Sequence, residues 1–157
     1  MTAIITLIRM RVYIDTSVVG GVFDDEFAEA SKAFFEKVDS GNITLVISEL
    51  LNTELLRAPE WVREYLDNYE ASQIEDVNLT DAALDLADLY VAEKVVGATS
   101  LADCQHIAIA TVHKVDVLVS WNFKHIVNLR RIRGYNSVNL KNGYPMLEIR
   151  TPLEVIE

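Results

Sequence analysis

Cysteine is nearly absent from this chain of 157 residues: Cys104 stands alone. One thiol excludes an intrachain disulfide framework, and a thiol-poor chain is expected to be cytoplasmic. Long apolar runs are missing too, none approaching the roughly 20 residues of a membrane helix. The run Ile4-Ile5 with Leu7-Ile8 is too short for a secretory segment, and it lacks a basic start and a small-residue cleavage site. A second methionine, Met10, directly precedes the first convincing strand, so residues 1–9 are expected to be an extension. Basic residues are scarce, 14 against 24 acids, and the resulting net charge of −10 argues against coating nucleic acid by general attraction. A nuclease is not excluded, because carboxylates gathered for a divalent ion contribute negative charge that the ion reverses locally. No repeat and no linker is visible, and the whole chain, 1–157, reads as one domain.

What is present is globular material, 50% hydrophobic and 24% charged, which sets disorder aside. Arg11-Val-Tyr-Ile-Asp15 is a short apolar run ending at an acid and reads as a buried parallel strand. Gly20-Gly21 breaks the chain. A helix follows from Glu26 to about Asp39, with Phe27, Ala30, Phe34 and Val38 on one face, and Gly41-Asn42 ends it. Ile43–Ile47 is a second strand. Ser48 caps a helix to about Arg57, and Pro59 opens another helical stretch to about Asn68. Ile74–Val77 is a weak strand. Thr80 caps a helix to about Val95 with Ala83, Leu84, Ala87, Tyr90 and Val91 on its apolar face, and Gly97 stops it. Ser100 caps a buried helix from about Leu101 to His113, and Val115–Val119 is a further strand. Beyond it the chain reads as loop, with strand candidates at Val138–Leu140 and Met146–Ile149. Strands alternating with helices imply a layered α/β domain with a mainly parallel sheet.

In such a sheet, ligands bind beyond the carboxyl ends of the strands. Asp15 ends the first strand, Ser48 to Glu54 follows the second, Asn122 follows a later one, and Asp103 opens a helix. Each has a plain alternative. Asp15 can cap the Thr16-Ser17 turn. Asp103 lies three after Ser100, as in a capping box. Glu54 can be a surface residue, and periodicity does not separate it from Glu49.

Taken in order, these segments resemble the PIN-domain family, and in style the VapC-type toxins of toxin–antitoxin pairs. Val12-Tyr-Ile-Asp15-Thr-Ser17-Val resembles the opening strand, with hydroxyls just after the acid. Ile47-Ser48-Glu-Leu-Leu-Asn-Thr-Glu54-Leu resembles the second element, and its spacing selects Glu54 over Glu49. Leu101-Ala-Asp103-Cys-Gln-His-Ile-Ala-Ile-Ala110 resembles the central helix. Leu118-Val-Ser120-Trp-Asn122-Phe-Lys-His125 resembles the segment that usually brings another acid; here Asn122 stands in its place. The resemblance spans roughly residues 10 to 130, and the tail Ile149-Arg-Thr-Pro152 is in keeping.

The resemblance implies a three-layer α/β/α fold and in-line hydrolysis of RNA by an Mg²⁺- or Mn²⁺-dependent endoribonuclease. Asp15, Glu54 and Asp103 would be its catalytic acids and metal ligands. Asn122 would be a neutral ligand or hold a water, favouring one ion over two. Thr16, Ser17 and Ser120 would orient ligands or bind phosphate. Lys124, Arg130 and Arg131 would meet the RNA backbone, although a segment rich in bases equally suits a solvated loop. The partners implied are an antitoxin, lying on the apolar surface of the helices at Phe27–Val38 and Pro59–Tyr69, and a second copy in a homodimer. Spacing does not make a site of His106, His113 and His125, which read as core or surface residues. Cys104 reads as a small buried hydrophobe and Trp121 as packing beneath the site, with base stacking as its alternative. A phosphatase of the haloacid-dehalogenase type needs a second Asp two after Asp15, where Ser17 stands. Dinucleotide binding needs an earlier, differently spaced glycine turn. The non-enzymatic rival is a degenerate PIN-like module that binds RNA or protein without cutting.

Overall fold

Side chains of the first strand, β1 (Met10–Ile14), alternate between two apolar layers. Val12 and Ile14 enter one core and Tyr13 the other, all fully buried. Alternation of this kind with no polar face is what a central parallel strand requires. β2 (Ile43–Ser48) repeats it, with Leu45 and Ile47 on the first side and Val46 on the second. The computed structural model describes residues 9–156, so all but the last residue of the expected extension lies outside the described residues.

Five strands among these residues form one sheet, every neighbouring pair parallel. β3 (Ile74–Val77), β4 (Val117–Val119) and β5 (Ile149–Arg150) complete it in the order β3-β2-β1-β4-β5. The layer over Val12 and Ile14 is built by α1 (Thr16–Gly21), α2 (Ala28–Asp39), α3 (Glu49–Leu55) and α4 (Glu60–Arg63), with a 3₁₀ turn at Tyr65–Asn68. The layer over Tyr13 is built by α5 (Asp81–Ala92), α6 (Leu101–Val112) and α7 (Leu129–Lys141). A short helix, α8 (Pro152–Ile156), lies against α2. The result is the three-layer α/β/α arrangement around a parallel sheet. No helix among the described residues is long and apolar enough to cross a membrane.

Several local expectations need correction. Gly20-Gly21 does not break the chain but completes α1. Gly21 is there for close approach: a Cβ on it would lie 2.5 Å from Ser31 Oγ and 2.8 Å from Trp121 Nε1. α2 starts at Ala28 rather than Glu26, and α5 ends at Ala92 rather than near Val95. The end of α5 is a Schellman closure through Lys94 (φ 61°), with Val95 N–H bonded to the Tyr90 carbonyl at 3.0 Å and Lys94 N–H to that of Val91 at 3.0 Å. Ser100 makes no side-chain cap; it lies at the end of a 3₁₀ turn, Ala98–Ser100.

The largest correction is α7, which runs through Val138–Leu140, a strand candidate by sequence. Its buried face carries Tyr135, Asn136, Val138 and Asn139. The two asparagines hide the helical period of apolar residues, yet they are fully employed. Asn136 clasps both backbone groups of Leu147 (2.7 and 3.1 Å), and Asn139 accepts from the Tyr90 hydroxyl and donates to Thr111 Oγ1 (3.3 Å). Asn128 Oδ1 caps the helix by accepting from Arg131 N–H.

Candidate active site

The strand order reverses at β1, with β2 on one side and β4 on the other, which creates a crevice at their carboxyl ends. Asp15 stands there. It is only 5% exposed, so its charge has to be met by the protein. Two hydroxyls meet it: Ser17 Oγ donates to Oδ1 and Ser120 Oγ to Oδ2, both at 2.6 Å. Each serine is itself fixed, since Ser17 Oγ accepts Trp121 N–H and Ser120 Oγ accepts Asn122 N–H, both at 2.9 Å. The Asp15 side chain makes no cap to α1, so turn capping does not account for it. Burial pushes its carboxyl above the ordinary range and the Glu54 charge adds to this, against His106 and the two serines.

Glu54 reaches the same region from the C-terminal turn of α3. Its Oε1 is paired with His106 Nε2 and accepts from Thr16 Oγ1 at 3.2 Å. Burial raises its carboxyl, but the bonds and charge of His106 and the Thr16 hydroxyl outweigh that and leave it below the ordinary range. Glu49, the acid that periodicity could not set apart, is exposed and accepts Leu79 N–H at 2.6 Å. Asp103, in the first turn of α6, is half-buried. Burial raises its carboxyl, and Asp15 and Glu54 raise it further, against His125 and His106. Asp15, just past β1, and Glu54 on α3 thus both raise the Asp103 carboxyl on α6, and Glu54 also raises that of Asp15.

Their donor chemistry fits a hard divalent cation, since oxygen ligands suit Mg²⁺ and Mn²⁺ and such a charge relieves the repulsion that raises Asp15 and Asp103. Among the described residues no three His, Cys, Asp or Glu side chains stand in a ready metal-holding group. These two facts pull apart. The chemistry weighs more, because Mg²⁺ takes one or two carboxylates directly and keeps several waters.

Asn122 lies just ahead of the turn that follows β4. Its Oδ1 accepts from Lys124 N–H (3.2 Å) and His125 N–H (3.0 Å), which uses both lone pairs within the turn. Lys124 and Arg130 are exposed, whereas Arg131 is partly buried and its guanidinium is bonded to the Val95 carbonyl. Cys104 is buried, as expected of a small hydrophobe, and Trp121 packs on Phe27 with ring centroids 4.4 Å apart. His106 is the residue whose part the sequence reading missed. It is buried, but it bonds to Glu54, and its position three after Asp103 puts both on one helix face.

The apolar faces expected to receive a partner are largely used inside the protein: Phe34, Phe35 and Val38 are buried. What stays open is a groove of about 550 Å³ lined by Glu26, Phe27, Ala30, Trp121, Phe123 and Leu153 among others. Trp61 and Leu56 are also exposed.

The sequence profile of the PIN domain matches residues 12–125. Among curated proteins none matches the chain. Solved structures share the fold, these two among them. One is a toxin–antitoxin complex from Klebsiella pneumoniae (TM-score 0.53, 18% identity, covering 72% of this chain and 88% of that one). The other is VapBC2 from Rickettsia felis bound to a DNA fragment from their promoter (TM-score 0.54, 14% identity, covering 90% and 98%). With the profile matching more than half of its length, this chain belongs to the PIN domain family.

Proposed function

We propose that the protein is an Mg²⁺- or Mn²⁺-dependent endoribonuclease and the toxin of a type II toxin–antitoxin pair. PIN domain proteins are generally nucleases that use divalent metal ions, which supports the enzymatic part. The observation that carries the reading is the buried Asp15, clamped by two serines and coupled by charge to Glu54 and Asp103. Asp15 would be the principal ligand of the ion, and Asp103 and Glu54 would hold it directly or through water. Asn122 is left out of that set, because its oxygen already serves two backbone donors. A bound divalent ion supplies Lewis-acid polarisation of the phosphodiester and lowers the pKa of water. The chain's own part is placement: Ser17 and Ser120 fix Asp15, and Thr16 helps to fix Glu54. Lys124 and Arg130 offer exposed charge to the RNA backbone, and the whole domain, 1–157, would act in the cytoplasm, as a homodimer.

The partner assignment rests on the two structural neighbours being toxin–antitoxin complexes. The groove beside Trp121 and Phe123, rimmed by Glu26 and Glu29, suits an antitoxin segment with apolar and basic side chains.

The test is cleavage of a labelled RNA with Mn²⁺, with and without chelator, alongside calorimetric titration of Mn²⁺. Wild-type protein is expected to bind Mn²⁺ and cut, and Asp15→Asn to lose more than ~100-fold in rate while staying folded by circular dichroism. Full activity in Asp15→Asn would remove the mechanism. Failure of the wild type to bind Mn²⁺ would favour the degenerate binding module instead.

A further inference from the structure

Behind Glu54 runs a chain of hydrogen bonds that crosses from α3 to α6 and on through β1 to the end of β2. His106 Nε2 is paired with Glu54 Oε1, and His106 Nδ1 lies 2.6 Å from the Tyr13 hydroxyl. That hydroxyl lies 2.8 Å from Ser48 Oγ, which in turn accepts Leu51 N–H at 3.1 Å. Tyr13 and Ser48 are fully buried and His106 is 2% exposed, so every polar atom here needs a partner within the protein.

For a neutral His106 ring the protons along these bonds have one consistent direction. Ser48 Oγ already accepts from the backbone, so its own proton is free to go to the Tyr13 oxygen. The Tyr13 proton then goes to His106 Nδ1, and the ring carries its proton on Nε2, aimed at Glu54. In this arrangement each listener has a donor and no two protons face each other. With the proton on Nδ1 instead, the Nε2 lone pair would face the Glu54 carboxylate and the bond would be lost.

Resting on the proposed metal-dependent reading, we infer that His106 is a positioning residue, held as the Nε2–H tautomer by Tyr13 and Ser48, which fixes the Glu54 carboxylate toward the Asp15–Asp103 crevice. Ser48 thereby has two tasks: capping α3, which carries Glu54, and orienting the ring that holds Glu54 from α6. The Thr16 hydroxyl bonds the same oxygen, Oε1, so the second carboxylate oxygen, Oε2, is the one presented to the ion or its water. Buried partners of this kind typically change metal affinity by ~10–100-fold when removed.

The ring's tautomer is read first, by long-range ¹H–¹⁵N correlation on the metal-free full-length protein. A single Nε2–H pattern is expected for His106, turning to a mixture in Tyr13→Phe; an Nδ1–H or a doubly protonated ring in the wild type overturns the inference. Mn²⁺ affinity is then measured by the electron paramagnetic resonance signal of the free ion. His106→Ala is expected to weaken binding by ~10-fold or more, and His106→Gln, whose amide N–H reaches the same point, to restore most of it. A structural role alone would lower the melting temperature without rescue by glutamine. Folded His106→Ala with wild-type Mn²⁺ affinity overturns the inference. If the wild type binds no Mn²⁺ yet shows the Nε2–H ring tied to Tyr13, the nuclease reading falls and the support of Glu54 by His106 stands.

Discussion

Ser120 Oγ donates to Asp15 Oδ2 at 2.6 Å across the join of β4 and β1, so the most buried acid of the site depends on a residue far along the chain. This bond opposes the effect of burial on Asp15. Ser120→Ala therefore raises the Asp15 carboxyl further above the ordinary range. The acid limb of the cleavage–pH profile is expected to move to higher pH, with activity below that limb reduced by ~10-fold or more. A profile superimposable on that of the wild type would contradict the role given to Ser120.

Asp103 gives a prediction about stability. Its carboxyl is raised by burial and by the charges of Asp15 and Glu54. The folded protein thus binds its proton more tightly than the unfolded chain does. Stability is lost as pH rises through the folded value, and the penalty persists at neutral pH. Metal-free Asp103→Asn is expected to melt above the wild type at neutral pH. The gap narrows as pH falls toward the ordinary aspartate range. Saturating Mn²⁺ should reverse the order. Calorimetric scans with and without the ion check both signs.

Asn122 separates turn from ligand. Asn122→Ala removes the acceptor for Lys124 and His125 N–H and is expected to cost ~1 kcal/mol in urea unfolding. Asn122→Asp keeps that acceptor and adds a charge, so stability should hold while Mn²⁺ affinity or stoichiometry rises. If both are unchanged on titration, residue 122 does not act on the metal.

Gly21→Ala drives a methyl group into Ser31 and the Trp121 indole, both buried. A loss of ~1–3 kcal/mol is expected by urea unfolding. Lys114→Gly acts in the opposite direction. Lys114 closes α6 at φ 54°, with Val115 N–H bonded to the Ala110 carbonyl. Glycine takes that geometry without the Cβ penalty, and a gain of ~0.5–1 kcal/mol is expected.

The layered fold was legible because its strands are short apolar runs and two of its helices, α3 and α5, carry clear caps at Ser48 and Thr80. The order of the segments bearing Asp15, Glu54 and Asp103 was legible through resemblance, while periodicity alone left Glu54 and Glu49 equal. Helix α7 was not legible, because Asn136 and Asn139 occupy buried positions where an apolar period is sought. The part of His106 was hidden for the reverse reason. A histidine among Ile107, Ala108 and Ile109 looks like core, and its partners Tyr13 and Glu54 come from segments only the fold unites. The turn role of Asn122 depends on backbone N–H directions, which residue types do not encode.

Because β4 joins the sheet beside β1, the second hydroxyl on Asp15 arrives only when residue 120 does. A nascent polypeptide stalled before that point carries Asp15, Glu54 and Asp103 with half of the Asp15 clamp missing. Truncation ahead of residue 120 is thus a way to keep all three acids while leaving Asp15 held through one oxygen alone.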